Sequence, residues 1–156
     1  MTSQPDSAKK RALRLLERRD YSRKELILKL VEKGESQEDA EAVADRMVEL
    51  GVISDERYSH MLVRHYASKG HGACRIKQEL YRHGIHTDLW EEAMKEMPSQ
   101  EETMDRLFRS KLRSSDPDQK EIKKATDAML RRGFSWSEIS ACRQRVLGNL
   151  YDEDLI

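Results

Sequence analysis

The sequence predicts an all-α protein: three tandem three-helix repeats, helix-turn-helix-like units without a sheet, forming an elongated, curved array. Three observations carry this reading. An apolar register ending in glycine occurs three times, as Leu26, Leu30, Gly34, then Ile76, Leu80, Gly84, then Ala125, Met129, Gly133. The glycines lie 50 and 49 residues apart, the signature of an internal repeat. The register resumes after each glycine as Ala40, Val43, Met47, as Trp90, Ala93, Met97 and as Ile139, Cys142, Val146. Steps of three and four mark one face of a helix. A glycine between two such stretches ends the first helix by taking the left-handed conformation. Composition agrees: 156 residues hold only 7 glycines and 3 prolines, and the strong helix formers dominate. Hydrophobic and charged residues each make up 37%, which suits narrow apolar stripes in stacked repeats.

The elements follow in order. Residues 1–7 read as a flexible polar arm, 8–53 as the first repeat, 54–98 as the second, 99–150 as the third and 151–156 as an acidic tail. The first helix runs from Ala8 to Arg18 with Ala12, Leu13 and Leu16 inward. Ser22-Arg-Lys-Glu25 is a capping box opening the next helix, and Ser36 to Asp39 opens the third. Ser54 or Asp55 starts the second repeat, whose inner stripe is Tyr58, Met61, Leu62, His65 and Tyr66. Lys69 to Gly72 is a turn, Ala73 to His83 a helix, and Asp88 caps a helix ending near Pro98. Ser99 to Glu102 reads as a capping box, with Met104, Leu107, Phe108 and Leu112 inward after it. Asp116-Pro117 reads as an N-cap with proline in the first turn, and Ser135 to Glu138 caps the last helix. Phe108 stands 25 residues before its glycine, whereas Leu16 and Tyr66 stand 18 before theirs. The extra residues are expected around Ser110 to Asp118, exposed and mobile.

Twenty-nine basic and twenty-nine acidic residues give zero net charge, but the signs alternate along the chain. Residues 1–34 carry +5, 35–57 −6, 58–85 +4, 86–105 −6, 106–133 +5 and 134–156 −2. Two readings fit. Acids favour helix starts and bases helix ends, or stacking gathers the basic helices into a stripe that meets a polyanion or an acidic surface.

Several chemistries find no support. His60, His65, His71, His83, His86 and Cys74 crowd one repeat without the convergent spacing of a zinc site. No phosphate loop, nucleophile elbow or metalloprotease motif occurs, and Cys74 beside His71 lacks an orienting third group. No catalytic residue, metal or cofactor is expected. Two cysteines fit a reducing cytoplasm, with Cys142 in the core. No signal sequence or membrane-length apolar run appears. The helices after the first two glycines cannot dock as DNA recognition helices, because Glu38, Asp39, Glu41, Asp45 and Glu49 in one and four acids from Asp88 to Glu96 in the other would face phosphates. The basic helices are the candidate contact surface: Lys24 in the first repeat, Arg64, Lys69, Arg75, Lys77 and Arg82 in the second, Lys124, Arg131 and Arg132 in the third. Lys33, His83 and Arg132 each precede the repeat glycine and also suit the helix dipole. Trp90 reads as core; Trp136 fits either a contact or packing against the tail.

In these residues the chain resembles the RecX regulatory proteins, modulators of the RecA recombinase. The resemblance spans Ala12 to Val146. It rests on Ser22-x-x-Glu-Leu, Lys-Leu-x-x-Lys-Gly34, Val52-Ile-Ser-Asp-Glu-Arg-Tyr58, Lys69 to Leu80, and Leu130-Arg-Arg-Gly-Phe134. Val52, Ser54, His71 and Ala73 depart from the family pattern. The resemblance implies a non-enzymatic protein that binds RecA filaments and limits their ATPase, strand-exchange and SOS co-protease activities. Arg57 and Tyr58, in the second signature, join the basic residues as candidate filament contacts. It also implies a cytoplasmic monomer whose partners are the RecA filament and the single-stranded DNA within it. The alternative is a sequence-nonspecific DNA-binding helical repeat protein.

Overall fold

N-terminal caps decide where most helices begin. The computed structural model describes residues 5–148, and all statements below concern them. Nine α-helices occur there and no strand: α1 Pro5–Arg18, α2 Arg23–Glu32, α3 Gln37–Glu49, α4 Asp55–Ser68, α5 Ala73–Arg82, α6 Trp90–Met94, α7 Glu101–Ser110, α8 Gln119–Arg131 and α9 Trp136–Leu147. A 3-10 turn, Thr87–Leu89, leads into α6. Ser22 and Ser135 form full capping boxes with Glu25 and Glu138, and the Ser36 hydroxyl accepts from the Asp39 amide.

Several expected starts move. Helix α1 begins at Pro5 rather than Ala8, a proline being well suited to the first helical position. Helix α8 is capped by Asp118 with Glu121, not by Asp116. Ser99 caps nothing: α7 starts after Gln100, whose amide instead donates to the carbonyls of Ala67 at 3.3 Å and His71 at 3.2 Å. Asp88 sits inside the 3-10 turn, and the His86 ring accepts the capping hydrogen bond from its amide. Helix α6 stops at Met94 with Lys95 as its C-cap, short of Pro98, which disfavours helix at Met97. Leu13 is 41% exposed, one residue and hence 100° past buried Ala12. Ala8, Ala12, Leu15 and Leu16 form the inward face instead. His65 is likewise exposed, while Ser59, Leu62 and Val63 are buried. The acidic tail and the first four residues of the arm lie outside the described residues.

The extra seven residues of the third repeat are split in two. Residues 111–118 make an eight-residue connection where 19–22 and 69–72 make four, and α8 is three residues longer than α2 and α5. The connection is exposed except for half-buried Leu112 and buried Pro117.

The chain divides into two compact units, residues 5–62 with 79–95 and residues 63–78 with 96–148. The first is centred on Leu26, Leu30, Ala40, Val43 and Met47, joined by Ala8, Ala12 and Ile53. The second is centred on Phe108, Ala125, Met129, Ile139 and Cys142, joined by Phe134 and Leu147. In both, the repeating apolar register of the sequence supplies the core.

Gly133 differs from its repeat counterpart Gly34. Its φ is +94°, and a Cβ there would lie 2.4 Å from the Arg75 amide nitrogen and 2.5 Å from the Arg75 Cβ. Gly34 has φ +106° with nothing within 4 Å of such a Cβ. Gly34→Ala is expected to cost only the left-handed backbone penalty, about 1–2 kcal/mol. Gly133→Ala adds a backbone clash and should cost well over 3 kcal/mol, on the scale of a severe single substitution. Urea unfolding of the two variants checks the difference, and equal losses would refute the close approach at Gly133.

Candidate partner-binding surface

The first unit is tied together by the residues that start α2. Ser22 and Glu25 cap the helix reciprocally, at 3.0 and 3.1 Å. The same side chains also reach across the unit. The Ser22 hydroxyl donates to the His83 carbonyl at 2.6 Å, in the turn that ends α5. Glu25 Oε2 accepts from Arg19 at 3.0 Å and from His83 Nδ1 at 3.1 Å, and the Tyr58 hydroxyl lies 3.2 Å from the same ring nitrogen. A carboxylate only accepts, so His83 carries a proton on Nδ1. Tyr58 and His83 meet edge to face, ring centroids 5.8 Å apart.

These contacts set the acidities. Burial disfavours the Glu25 anion, but hydrogen bonds from His83, the Ser22 amide and Tyr58 outweigh it and hold the carboxyl at about 2. Burial and the nearby Glu25 charge push the Tyr58 phenol well above its ordinary range.

The second unit repeats the arrangement with different groups. The Gly72 amide donates to the Arg132 carbonyl at 2.7 Å, and the Cys74 amide to the Gly133 carbonyl at 3.1 Å. Gly72 and Ser22 stand twelve residues before their own glycines, and Arg132 and His83 one before theirs. The start of a middle helix therefore holds the turn ending the next repeat's middle helix in both units. Arg132 Nη1 donates to the Lys69 carbonyl at 3.2 Å, 63 residues away in sequence. Nine residues before each glycine stand Glu25, Arg75 and Lys124. Only the first repeat has the carboxylate, so only there does the residue before the next glycine turn inward.

The candidate contacts are placed as follows. Lys24 is exposed at its tip, while its stem lies against Gly84. Arg57 donates to the Gly51 carbonyl at 2.7 Å. Tyr58 is only 7% exposed and belongs to the Glu25 cluster. Arg64 pairs with Glu96 at 3.3 Å, and Arg82 with Glu79 at 2.7 Å. Lys69, Lys77, Lys124 and Arg131 are exposed, and with half-buried Arg132 have no acidic ion-pair partner among the described residues. The docked turns bring Lys69, Arg75 and Arg132 together in the second unit. Trp90 is half-buried and donates to the Ile85 carbonyl at 3.0 Å, and Trp136 is 64% exposed.

Apolar periodicity does not reveal the Glu25–His83 contact, whose signal in the sequence is the exchange of Glu25 for Arg75 and Lys124 at one repeat position. Among the described residues, no group of three or more His, Cys, Asp or Glu could hold a metal ion. Cys142 is buried, and burial with the Asp105 carboxylate pushes its thiol up to about 12, so it stays protonated. No described helix is long and apolar enough to cross a membrane.

The Glu25 carboxyl predicts an acid dependence. Its folded value lies below its ordinary 4.5, so its contribution is complete above about pH 4.5 and is lost as pH falls toward 2. Urea unfolding across that window should show a steeper loss for the wild type than for Glu25→Gln. Parallel losses would contradict the contact. His83→Ala should cost about 1–3 kcal/mol at neutral pH, because it strips a donor from a half-buried carboxylate.

Comparisons with known proteins agree with this architecture. The family description "RecX, first three-helix domain" matches residues 8–47, and "RecX, second three-helix domain" matches residues 54–94. The chain is 31% identical to the regulatory protein RecX of Chromohalobacter salexigens over 140 residues, 89% of this chain and 92% of that one. It is 36% identical to the regulatory protein RecX of Vibrio parahaemolyticus over 136 residues, 86% and 88% of the two chains. A crystal structure of RecX from Lactobacillus salivarius shares the fold, with a TM-score of 0.82 at 24% identity over 97% of both chains. With both three-helix domains matched in order and these relatives covered almost end to end, the chain belongs to the RecX family of regulatory proteins.

Proposed function

We propose that the chain is a non-enzymatic regulator that binds the RecA nucleoprotein filament and restrains its ATPase, strand exchange and SOS co-protease activities. It acts in the cytoplasm as a monomer without a cofactor, with residues 8–53, 54–98 and 99–150 as its three modules. Membership of a family of regulatory proteins supports the regulatory role. The contact surface is argued from one observation: docking of the Lys69–Gly72 turn on the Arg132–Gly133 turn gathers cations from two repeats. Lys69 and Arg132 there, like Lys77 and Lys124 on the flanking helices, lack acidic partners within the described residues. Cations without internal partners favour an anionic surface such as a filament that encloses DNA. Arg64 and Arg131 of the same unit join this contact, and Lys24, Arg57 and Arg82 of the first unit are further candidate contacts of their own. Tyr58 serves the latter indirectly, by holding the turn of His83.

Charge reversal tests the surface. Arg75→Glu with Lys77→Glu should leave the melting temperature within a few degrees of wild type. The concentration giving half-inhibition of the recombinase ATPase should rise about tenfold or more, equivalent to about 1.4 kcal/mol of binding. Arg82 is left out because reversing it would set a like charge beside Glu79. Wild-type inhibition by the double variant would remove this surface from the contact.

A further inference from the structure

The end of α9 and the long connection before α8 form a groove within the second unit. Arg109 on α7, Leu112, Arg113 and Pro117 in the connection, and Val146 with Leu147 on α9 line about 310 Å³. One carboxylate fixes the connection. Glu121 accepts from the Arg113 amide at 3.0 Å, the Ser114 hydroxyl at 3.4 Å and the Asp118 amide at 3.2 Å. One side of the groove is apolar, with Pro117 and Leu147 buried and Leu112 and Val146 half-buried. The two arginines are exposed, and no acid is among the described lining residues. The Arg113 guanidinium has no partner among the described residues. Arg109 acts on the Asp105 carboxylate, which Arg145 already holds at 2.9 Å.

The chain itself carries a matching ligand. Residues 149–156, beyond the described ones, read Asn-Leu-Tyr-Asp-Glu-Asp-Leu-Ile, three acids without a base between apolar pairs. They follow Gly148, the residue next to the groove's own Leu147. A chain spans at most about 3.3–3.6 Å per residue, so Asp152 to Asp154 reach about 16–25 Å from Leu147, enough to cross a groove that Leu147 itself lines. A segment tethered this closely acts at about millimolar effective concentration, which an external acid has to exceed. Carboxylates match the guanidinium fork of arginine. Apolar contact with Leu112, Pro117 and Val146 adds a gain that a purely polar anion lacks. We infer that the acidic segment Asp152–Asp154 seats on Arg109 and Arg113, with Leu150 and Tyr151 on the apolar side of the groove. The segment is then a built-in occupant that withholds two cations from external anions. Trp136 stands at the other end of α9, about 16 Å along the helix, and takes no part in the contact. The ligand belongs to the chain, so the inference needs no recombinase and stands apart from the filament reading.

The test is amide relaxation on the full, nitrogen-15-labelled chain at low salt. Order parameters of about 0.8 or above are expected for the amides of Asp152 to Asp154 in the wild type, on the scale of a rigid backbone. Arg109→Gln with Arg113→Gln removes two charges from exposed positions and should leave melting unchanged. In that variant the same amides should fall below about 0.6, and the Leu112 and Ser115 amide resonances should move. Salt at about 1 M, where screening reaches about 3 Å, should lower the wild-type values in the same direction. Arg106→Gln with Lys120→Gln removes equal charge from the same unit outside the groove and should change neither readout. Four results would overturn the contact. These are values below about 0.6 in the wild type at low salt, unchanged values in the groove variant, or an equal loss in the control variant. The fourth is a saturating shift of the wild-type Leu112 and Ser115 amides by micromolar poly-glutamate or inorganic phosphate, which marks a groove open to an external anion.

Discussion

Each unit depends on one junction, in which the first turn of a middle helix holds the glycine turn that ends the middle helix of the following repeat. A helix end leaves carbonyls without partners, and a helix start leaves amides without them. Joining the two satisfies both and brings the positive end of one helix dipole to the negative end of another. The first unit makes the junction with a side chain, Ser22 to the His83 carbonyl. The second makes it with backbone alone, Gly72 to Arg132 and Cys74 to Gly133. A Cβ at Gly72 would lie 2.5 Å from the Gly133 carbonyl oxygen, so the direct approach requires glycine.

The junction also governs which cations face outward. In the first unit the carboxylate of Glu25 draws His83 and Tyr58 inward with Arg19, and four groups are spent on structure. Arg75 occupies that repeat position in the second unit, where no carboxylate is available to draw in Arg132. Arg132 turns to the Lys69 carbonyl instead. One substitution at one repeat position thus converts a structural cluster into a cationic surface. At the first glycine turn Arg11, with Glu35, closes the helix end from α1. The start of α8 is closed by Asp118 and Glu121, whose carboxylate also accepts from the Arg113 amide.

Much of the fold was legible because repetition multiplies a weak signal. Leu26, Ile76 and Ala125 at one register, with Leu30, Leu80 and Met129 at the next, mark core positions by spacing alone, and all six are buried. Capping boxes at Ser22 and Ser135 were equally plain, since their partners lie three residues away. Ser99 and Asp116 misled for different reasons. Gln100 is taken by the carbonyls of Ala67 and His71, 33 and 29 residues away, whereas Asp118 two residues on offers the full capping box with Glu121 that Asp116 does not make. The candidate surface was half legible. Exposure of Lys69, Arg75, Lys77 and Lys124 followed from the helical pattern, as does the i,i+3 pair of Arg82 with Glu79, whereas the engagement of Tyr58 and Arg64 depends on tertiary partners that periodicity does not reveal.

A double-mutant cycle on Glu25→Gln and His83→Ala measures the junction most directly. Groups in one hydrogen-bonded network show coupling energies of about 0.5–3 kcal/mol, and distant groups add within about 0.5 kcal/mol. With His83 Nδ1 lying 3.1 Å from the Glu25 carboxylate, coupling of about 1 kcal/mol or more is the expected result in urea unfolding at neutral pH. Simple additivity of the two losses would mean that the Glu25 carboxylate at the start of α2 does not hold the His83 ring at the end of α5.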